Sequence, residues 1–251
     1  MKKLRYKAEL FFYPVPSLIN MKHPENVSFQ RKTELLNYLK SFVSGNKNRL
    51  FSKIISERTK HITIVLEDIF QPHNASAVLR SCDCFGIQDI HIIENRNKYN
   101  INPDVALGSS KWLNMINYNN DEHNTLDCIS GLKEQGYRII AATPHEDGQR
   151  LQDISVDKKM ALLFGTELEG LSEIALKNAD EFLYIPMYGF TECLNISVSV
   201  AVVMYQLTEK LRNLNINWHL SEEEVVDVQL DWARSAVKDS YLIEKKFFSR
   251  F

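Results

Sequence analysis

Five short apolar runs punctuate the chain: Ile62-Thr-Ile-Val-Leu66, Ile90-His-Ile-Ile93, Arg138-Ile-Ile-Ala-Ala142, Ala161-Leu-Leu-Phe164 and Leu183-Tyr-Ile185. Each has the length of a strand, and helical or loop stretches separate them. Apolar runs without polar alternation belong to strands buried on both faces. The pattern therefore predicts an α/β fold with a mostly parallel sheet covered by helices. Ligands of such sheets bind outside the C-terminal ends of the strands, where the polar loops of this sequence fall.

A different rhythm flanks the runs. Residues 1–27 have little periodicity, and Pro14, Pro16 and Pro24 interrupt any helix. From Ser28 to about Val43 the positions Leu35, Leu36, Leu39, Phe42 and Val43 predict a helix ended by Gly45. A second helix is predicted near 47–58, with Leu50, Phe51, Ile54 and Ile55 inward. After the last run Pro186 ends the strand, and Val200, Val203, Met204, Leu207, Leu211 and Leu214 recur at helical spacing. Ser221 with Glu224 forms a capping box for a final helix carrying Val225, Val228 and Trp232 on one face, and Phe247, Phe248 and Phe251 follow. The expected division is a helical N-terminal extension over 1–60, a central domain over 61–210 and a C-terminal helical extension over 211–251.

Composition narrows the class. A hydrophobic fraction of 44% and a charged fraction of 25% are ordinary for a soluble globule. There is no apolar run of about 18 residues to cross a membrane, and no apolar segment of signal type follows the basic start. Cys82, Cys84, Cys128 and Cys193 form neither a disulfide framework nor a paired C-x-x-C pattern, which predicts reduced thiols in a cytoplasmic protein and no metal site. The net charge of −2 conceals an asymmetry: residues 1–60 carry 13 Lys and Arg against 4 Glu, and residues 61–207 carry 10 against 20 acids. That suits a polyanion-binding appendage on a catalytic body, and it equally suits solvated helix faces.

Three stretches carry candidate chemistry. After the first run comes Pro72-His-Asn-Ala-Ser-Ala-Val-Leu-Arg80, where Asn74 is placed to cap a helix that Gly86 ends. Ala75, Val78, Leu79 and Cys82 make its apolar face, and Ser76, Arg80 and Asp83 fall on another. Arg80 there suits a phosphate held bidentately, or simply a surface pair with Asp83. His73 beside Asn74 is expected to pack against the cap. The second stretch is Phe164-Gly-Thr-Glu-Leu-Glu-Gly170, a buried run entering an acidic, glycine-flanked turn before Ser172, a candidate cap for the next helix. Its acidity disfavours a phosphate cradle and fits a ligand that is cationic or presents polar edges. The third, Ile185-Pro-Met-Tyr-Gly through Leu194-Asn-Ile-Ser-Val-Ser-Val200, places Asn195 where it either caps a helix or does chemistry.

In this order and spacing the three stretches resemble the SPOUT superfamily of knotted methyltransferases, and within it the TrmH (SpoU-type) RNA ribose 2′-O-methyltransferases. Ala106-Leu-Gly-Ser-Ser-Lys-Trp112 is also similar to a family segment, and the resemblance covers roughly residues 61–210. It implies a deep C-terminal trefoil knot and a homodimer. It implies S-adenosyl-L-methionine as cofactor, held by Ala142, Thr143, Gly165, Ile185, Met187, Leu194 and Asn195. Arg80 would be the central catalytic residue, with Asn74, Glu167 and Asn195 orienting it and the substrate. A guanidinium stays protonated, so Arg80 is expected to bind the phosphate beside the target ribose, leaving proton removal to that phosphate or to Glu167. The family usually has Ser where Cys193 stands, which bears on any polar role at that position. The expected substrate is tRNA, a D-loop guanosine above all, with the basic N-terminal helices as an RNA clamp. The alternatives are the same chemistry on rRNA, or an RNA-binding protein that keeps the fold without catalysis.

Overall fold

A computed structural model describes residues 27–249, apart from 107, 121–123, 145–147 and 167. The proline-rich start and Phe251 lie outside them. Seven strands form one sheet: β1 (Ile62–Glu67), β2 (Asp89–Ile93), β3 (Asn114–Tyr118), β4 (Arg138–Ala142), β5 (Gln149–Arg150), β6 (Met160–Phe164) and β7 (Glu181–Tyr184). Their order is β3-β2-β1-β6-β4-β7-β5, and every pairing is parallel. β7, made last, lies between β4 and β5, which precede it in the chain.

The period of two along a strand assigns the faces. On β1 the side chains of Ile62, Ile64 and Leu66 enter one core, and Val65 enters the other. The first core is covered by α3 (Pro72–Phe85) and α7 (Ile196–Arg212). Ala75, Val78, Leu79 and Cys82 of α3 meet Val200, Val203, Met204, Leu207 and Leu211 of α7 there, as the helical spacing predicted. The second core is covered by α5 (Asn124–Glu134) and α6 (Glu173–Asn178). Each Ile or Leu fully withdrawn from water here contributes roughly 1.5–3 kcal/mol.

Helices from both flanks pack on one another. α1 (Phe29–Lys40) and α2 (Gly45–Ile55) contact α8 (Glu222–Ala236), and α1 also contacts α9 (Ser240–Phe248). Leu35, Leu36 and Leu39 meet Val226, Leu230, Ala233 and Phe247 in one cluster. In the next, Phe51 lies against Trp112 and Trp232, with ring centroids 5.8 and 5.4 Å away. Some of the described cations of this segment are committed within the arrangement. Lys32 pairs with Asp227 at 2.9 Å and with Glu223 at 3.7 Å. Lys60 pairs with Asp89 at 3.3 Å, and the buried Arg58 with Asp83. Arg31, Lys32, Arg58 and Lys60 thus meet carboxylates of the same chain, whereas Lys47, Arg49 and Lys53 have no carboxylate partner among the described residues.

Some boundaries move for local reasons. Gly45 opens α2 instead of ending α1, because the Ser44 hydroxyl accepts from the amide of Lys47 and caps the second helix. α1 ends at Lys40, where the chain turns through Ser41. The capping box of Ser221 and Glu224 is present, the hydroxyl accepting from Glu224 N and the carboxylate from Ser221 N.

His91 on β2 is 5% exposed, with Nδ1 3.0 Å from the Tyr118 hydroxyl. Burial, reinforced by the charge of Lys60, pulls its imidazole down to about 4. An unfolded histidine titrates near 6.5, so the unfolded chain takes up this proton first and the folded state loses stability as pH falls from 6.5 toward 4. The expected loss is on the order of 3 kcal/mol at the acid end. Urea titrations across that range should show it, and His91→Gln should flatten the dependence. An unchanged slope in the variant refutes the assignment.

Candidate active site

β1 runs into two buried carboxylates, each 3% exposed, that organise the loops at this edge of the sheet. Glu67 accepts from the hydroxyls of Thr125 (2.6 Å) and Ser172 (2.7 Å) and from the Ser172 amide (2.8 Å). It thereby pins the end of the acidic turn to β1. Asp68 adopts a left-handed backbone (φ 55°). Its Oδ1 accepts from the amides of Asn95 and Arg96 at 2.8 Å and of Asn97 at 3.3 Å. Three backbone donors converging on one oxygen form an anion nest, filled here by the protein's own carboxylate.

α3 begins at Pro72, one turn earlier than Asn74 would start it as a cap. Pro is preorganised for the first helical position, and Gln71 is the N-cap, without a side-chain bond. Asn74 consequently sits buried in the first turn, donating to Gln71 Oε1 at 3.2 Å. Ser76 is also buried: its hydroxyl donates to Pro72 O (2.7 Å) and accepts from Asn102 N (2.6 Å). It does not share a polar face with Arg80. Arg80 is exposed and has no hydrogen bond or ion pair among the described residues. Its expected surface partner, Asp83, belongs to Arg58. His73 is exposed, not packed on the helix start.

A cavity of about 350 Å³ opens at the C-terminal ends of β4, β6 and β7. Ala142, Thr143, Gly165, Ile185, Met187 and Leu194 line it, so three segments far apart in sequence converge as their motifs implied. Asn195 is not among the lining residues, although Leu194 and Ile196 on either side of it are. Glu167 lies outside the described residues. Glu169, Glu192 and the exposed Cys193 also line the cavity, as does Ser199. In the sequence, the acidity of the 165–170 turn signals Glu169, and nothing signals Glu192.

Asn195 caps α7 and also reaches the first stretch. Its Oδ1 caps α7 by accepting from Ser197 N at 2.9 Å and from the Ser197 hydroxyl at 2.6 Å. Its Nδ2 donates to Asn74 Oδ1 at 3.2 Å. The first and third stretches are thus joined side chain to side chain, with exposed Arg80 on the same helix as Asn74. On the cavity floor Gly165 lies flush against the returning turn: a Cβ there would sit 2.1 Å from the carbonyl oxygen of Gly170.

Comparison with known proteins agrees with this geometry. Residues 61–205 match the SpoU rRNA Methylase family. The chain is 43% identical over 206 residues to the tRNA (guanosine(18)-2′-O)-methyltransferase of Borreliella burgdorferi, covering 82% of this chain and 93% of the relative. It is 30% identical over 190 residues to the enzyme so named in Thermus thermophilus, covering 75% and 96%. Among solved structures, the A. aeolicus TrmH/SpoU tRNA modifying enzyme superposes with a TM-score of 0.69 at 25% identity, over 77% of this chain and 98% of that one. With more than half of its length matched and such relatives spanned almost end to end, the chain belongs to the SpoU methylase family.

Proposed function

We propose that this protein transfers a methyl group from S-adenosyl-L-methionine to the ribose 2′-oxygen of a tRNA guanosine, at position 18, as its relatives are named for doing. The observation that carries the reading is the Asn74–Asn195 contact, which joins the Arg80 helix to the loop bordering the cavity. The cavity fits the cofactor. Its volume is in the range of small-molecule sites, roughly 300–1,000 Å³, its wall mixes apolar side chains with exposed loop backbone, and Glu169 and Glu192 suit a cationic ligand. When bound, the cofactor supplies an electrophilic methyl group. The chain's residues do the rest. The cavity wall orients the ligand, and Arg80 binds the phosphate beside the target ribose and stabilises charge developing on the 2′-oxygen. Asn74 and Asn195 hold the two elements in register. The 2′-hydroxyl proton passes to that phosphate or to Glu167.

The same reading includes a C-terminal segment threaded as a knot, which the insertion of β7 between β4 and β5 supports. It also includes a homodimer. Val198, Val202 and Tyr205 make an exposed apolar row along α7, opposite its buried face, and a second copy of the chain would cover it. Sedimentation of the purified protein as a monomer would overturn the dimer. A cytoplasmic location follows from a tRNA substrate, and no helix among the described residues is long and apolar enough to cross a membrane.

Methyl-labelled S-adenosylmethionine offered with unmodified tRNA or rRNA, followed by digestion to nucleosides, tests the function. Labelled 2′-O-methylguanosine from tRNA is the expected product. Label only in rRNA replaces the substrate. Label in neither, with cofactor binding intact, replaces the enzyme with an RNA-binding protein.

A further inference from the structure

The geometry points to a second RNA subsite at the ends of β2 and β3, holding the backbone phosphate of a nucleotide next to the target. This rests on the RNA methyl-transfer reading above. A cavity of about 400 Å³ opens there, lined by Glu94, Asn95, Arg96, Asn97, Lys98 and Asn119. Strand order places it on the same edge as the rest of the machinery. Moving along the sheet from β3, one meets this cavity, then the end of β1 with Asp68 and the start of α3, then the cofactor cavity at β6, β4 and β7. A single strand of RNA with its target ribose at Arg80 and its 2′-oxygen facing the cofactor cavity can extend its neighbouring nucleotides toward β2 and β3.

The chemistry of the cavity suits a phosphate. Lys98 has no carboxylate partner among the described residues, and its side chain is exposed. Arg96, 59% exposed, reaches Glu169 on the cofactor wall at 2.6 Å and Asp68 at 3.5 Å. An exposed ion pair of this kind contributes at most about 1 kcal/mol, so a phosphate can take the guanidinium from Glu169. The carboxylates nearby are also bonded to the loop itself, and only Oδ2 of Asp68, at 3.5 Å, shares the guanidinium with Glu169. Asp68 is filled by three amides, and Glu94 accepts from Tyr99 N at 2.6 Å and from the Asn119 amide at 2.8 Å. Those same bonds hold the 95–99 loop in place before any ligand arrives. Loops preorganised in this way bind with less ordering cost.

Fluorescence anisotropy with labelled unmodified tRNA transcript, across a salt series, tests the proposal on the full-length protein. The variants are Lys98→Ala, Arg96→Ala, the double variant and Glu169→Gln, with folding checked by thermal midpoint and cofactor affinity by calorimetry. The double variant is expected to weaken RNA binding about tenfold and to lower the slope of log K against log salt by about 1 for each phosphate that is no longer neutralised. Glu169→Gln, which removes the nearer of the two carboxylates on the guanidinium, is expected to bind RNA as tightly as wild type or more so. Unchanged affinity and slope in the double variant overturn the subsite. So does a loss in Glu169→Gln equal to that in Arg96→Ala, since the ion pair is then the working unit. A wild-type protein that binds cofactor but no tRNA overturns the functional reading, and the subsite with it.

Discussion

Arg80→Lys is expected to lose about a hundredfold or more in turnover on tRNA, with cofactor affinity and thermal midpoint close to wild type. Among the described residues the guanidinium has no partner. It is exposed on α3, and Asp83, the acid that helical spacing offers it, is held by Arg58. Removing an arginine that braces the fold would show in the melting curve; removing this one should not. Lysine keeps the charge, so nonspecific attraction to RNA survives. What disappears is the planar fork that grips two phosphate oxygens at once and fixes the ribose against the transferring methyl group. The loss should therefore appear in kcat more than in KM for RNA. Near-normal turnover would show that charge alone suffices and remove the bidentate role.

Gly165→Ala should abolish the cofactor site by a different route. A Cβ at 165 would lie 2.1 Å from Gly170 O and 2.4 Å from Leu171 N, both backbone atoms. The turn cannot swing away freely. Thr166 and Gly170 exchange backbone hydrogen bonds at 3.0 and 3.1 Å, and Ser172 is tied to the buried Glu67. The added methyl must therefore be absorbed by distorting the wall that carries Leu168 and Glu169. Calorimetry should show cofactor affinity reduced at least tenfold, and urea unfolding a loss of about 1–3 kcal/mol. Gly131→Ala in α5 is the contrasting change. Nothing lies within 4 Å of its added Cβ, and a helix interior favours alanine over glycine by up to about 1 kcal/mol. Wild-type cofactor binding in Gly165→Ala would mean that the turn does not form the site.

The strands legible in the sequence are those whose apolar runs are buried on both faces. β1, β2, β4 and β6 are of this kind; β7 is legible from Leu183 and Tyr184, its buried half, and starts two residues before the apolar run because Glu181 and Phe182 are only half-buried. β3 is not legible, because Asn114-Met-Ile-Asn-Tyr118 is an edge strand, half-buried throughout, and its composition is that of a polar loop. β5 has two residues and no pattern to detect. At the site, the stretches around Asn74, Gly165 and Asn195 are legible, and six of the seven residues assigned to the cofactor line one cavity. The start of α3 differs from the expected one although its cue is present: Pro72 favours the first helical position over a capping role for Asn74 two residues later. Glu67 and Asp68 escape notice because two acids closing an apolar strand read as its solvated end. Only the fold shows that donors from the 95–97 loop, the first turn of α5 and the N-cap of α6 converge on them. Strand order, which brings β6 beside β1 and β7 beside β4, has no local signal at all.

The clusters that join α1 and α2 to α8 and α9 also set an order of events during synthesis. Leu35, Leu36 and Leu39 meet Val226, Leu230 and Phe247 only after the ribosome has made nearly two hundred further residues. Until then α1 lacks the partners that cover its apolar stripe, and isolated helices of its length are marginal in water. Every strand of the central sheet is synthesised before α8 and α9, so α1 and α2 gain their covering partners only after the sheet's residues have all been made.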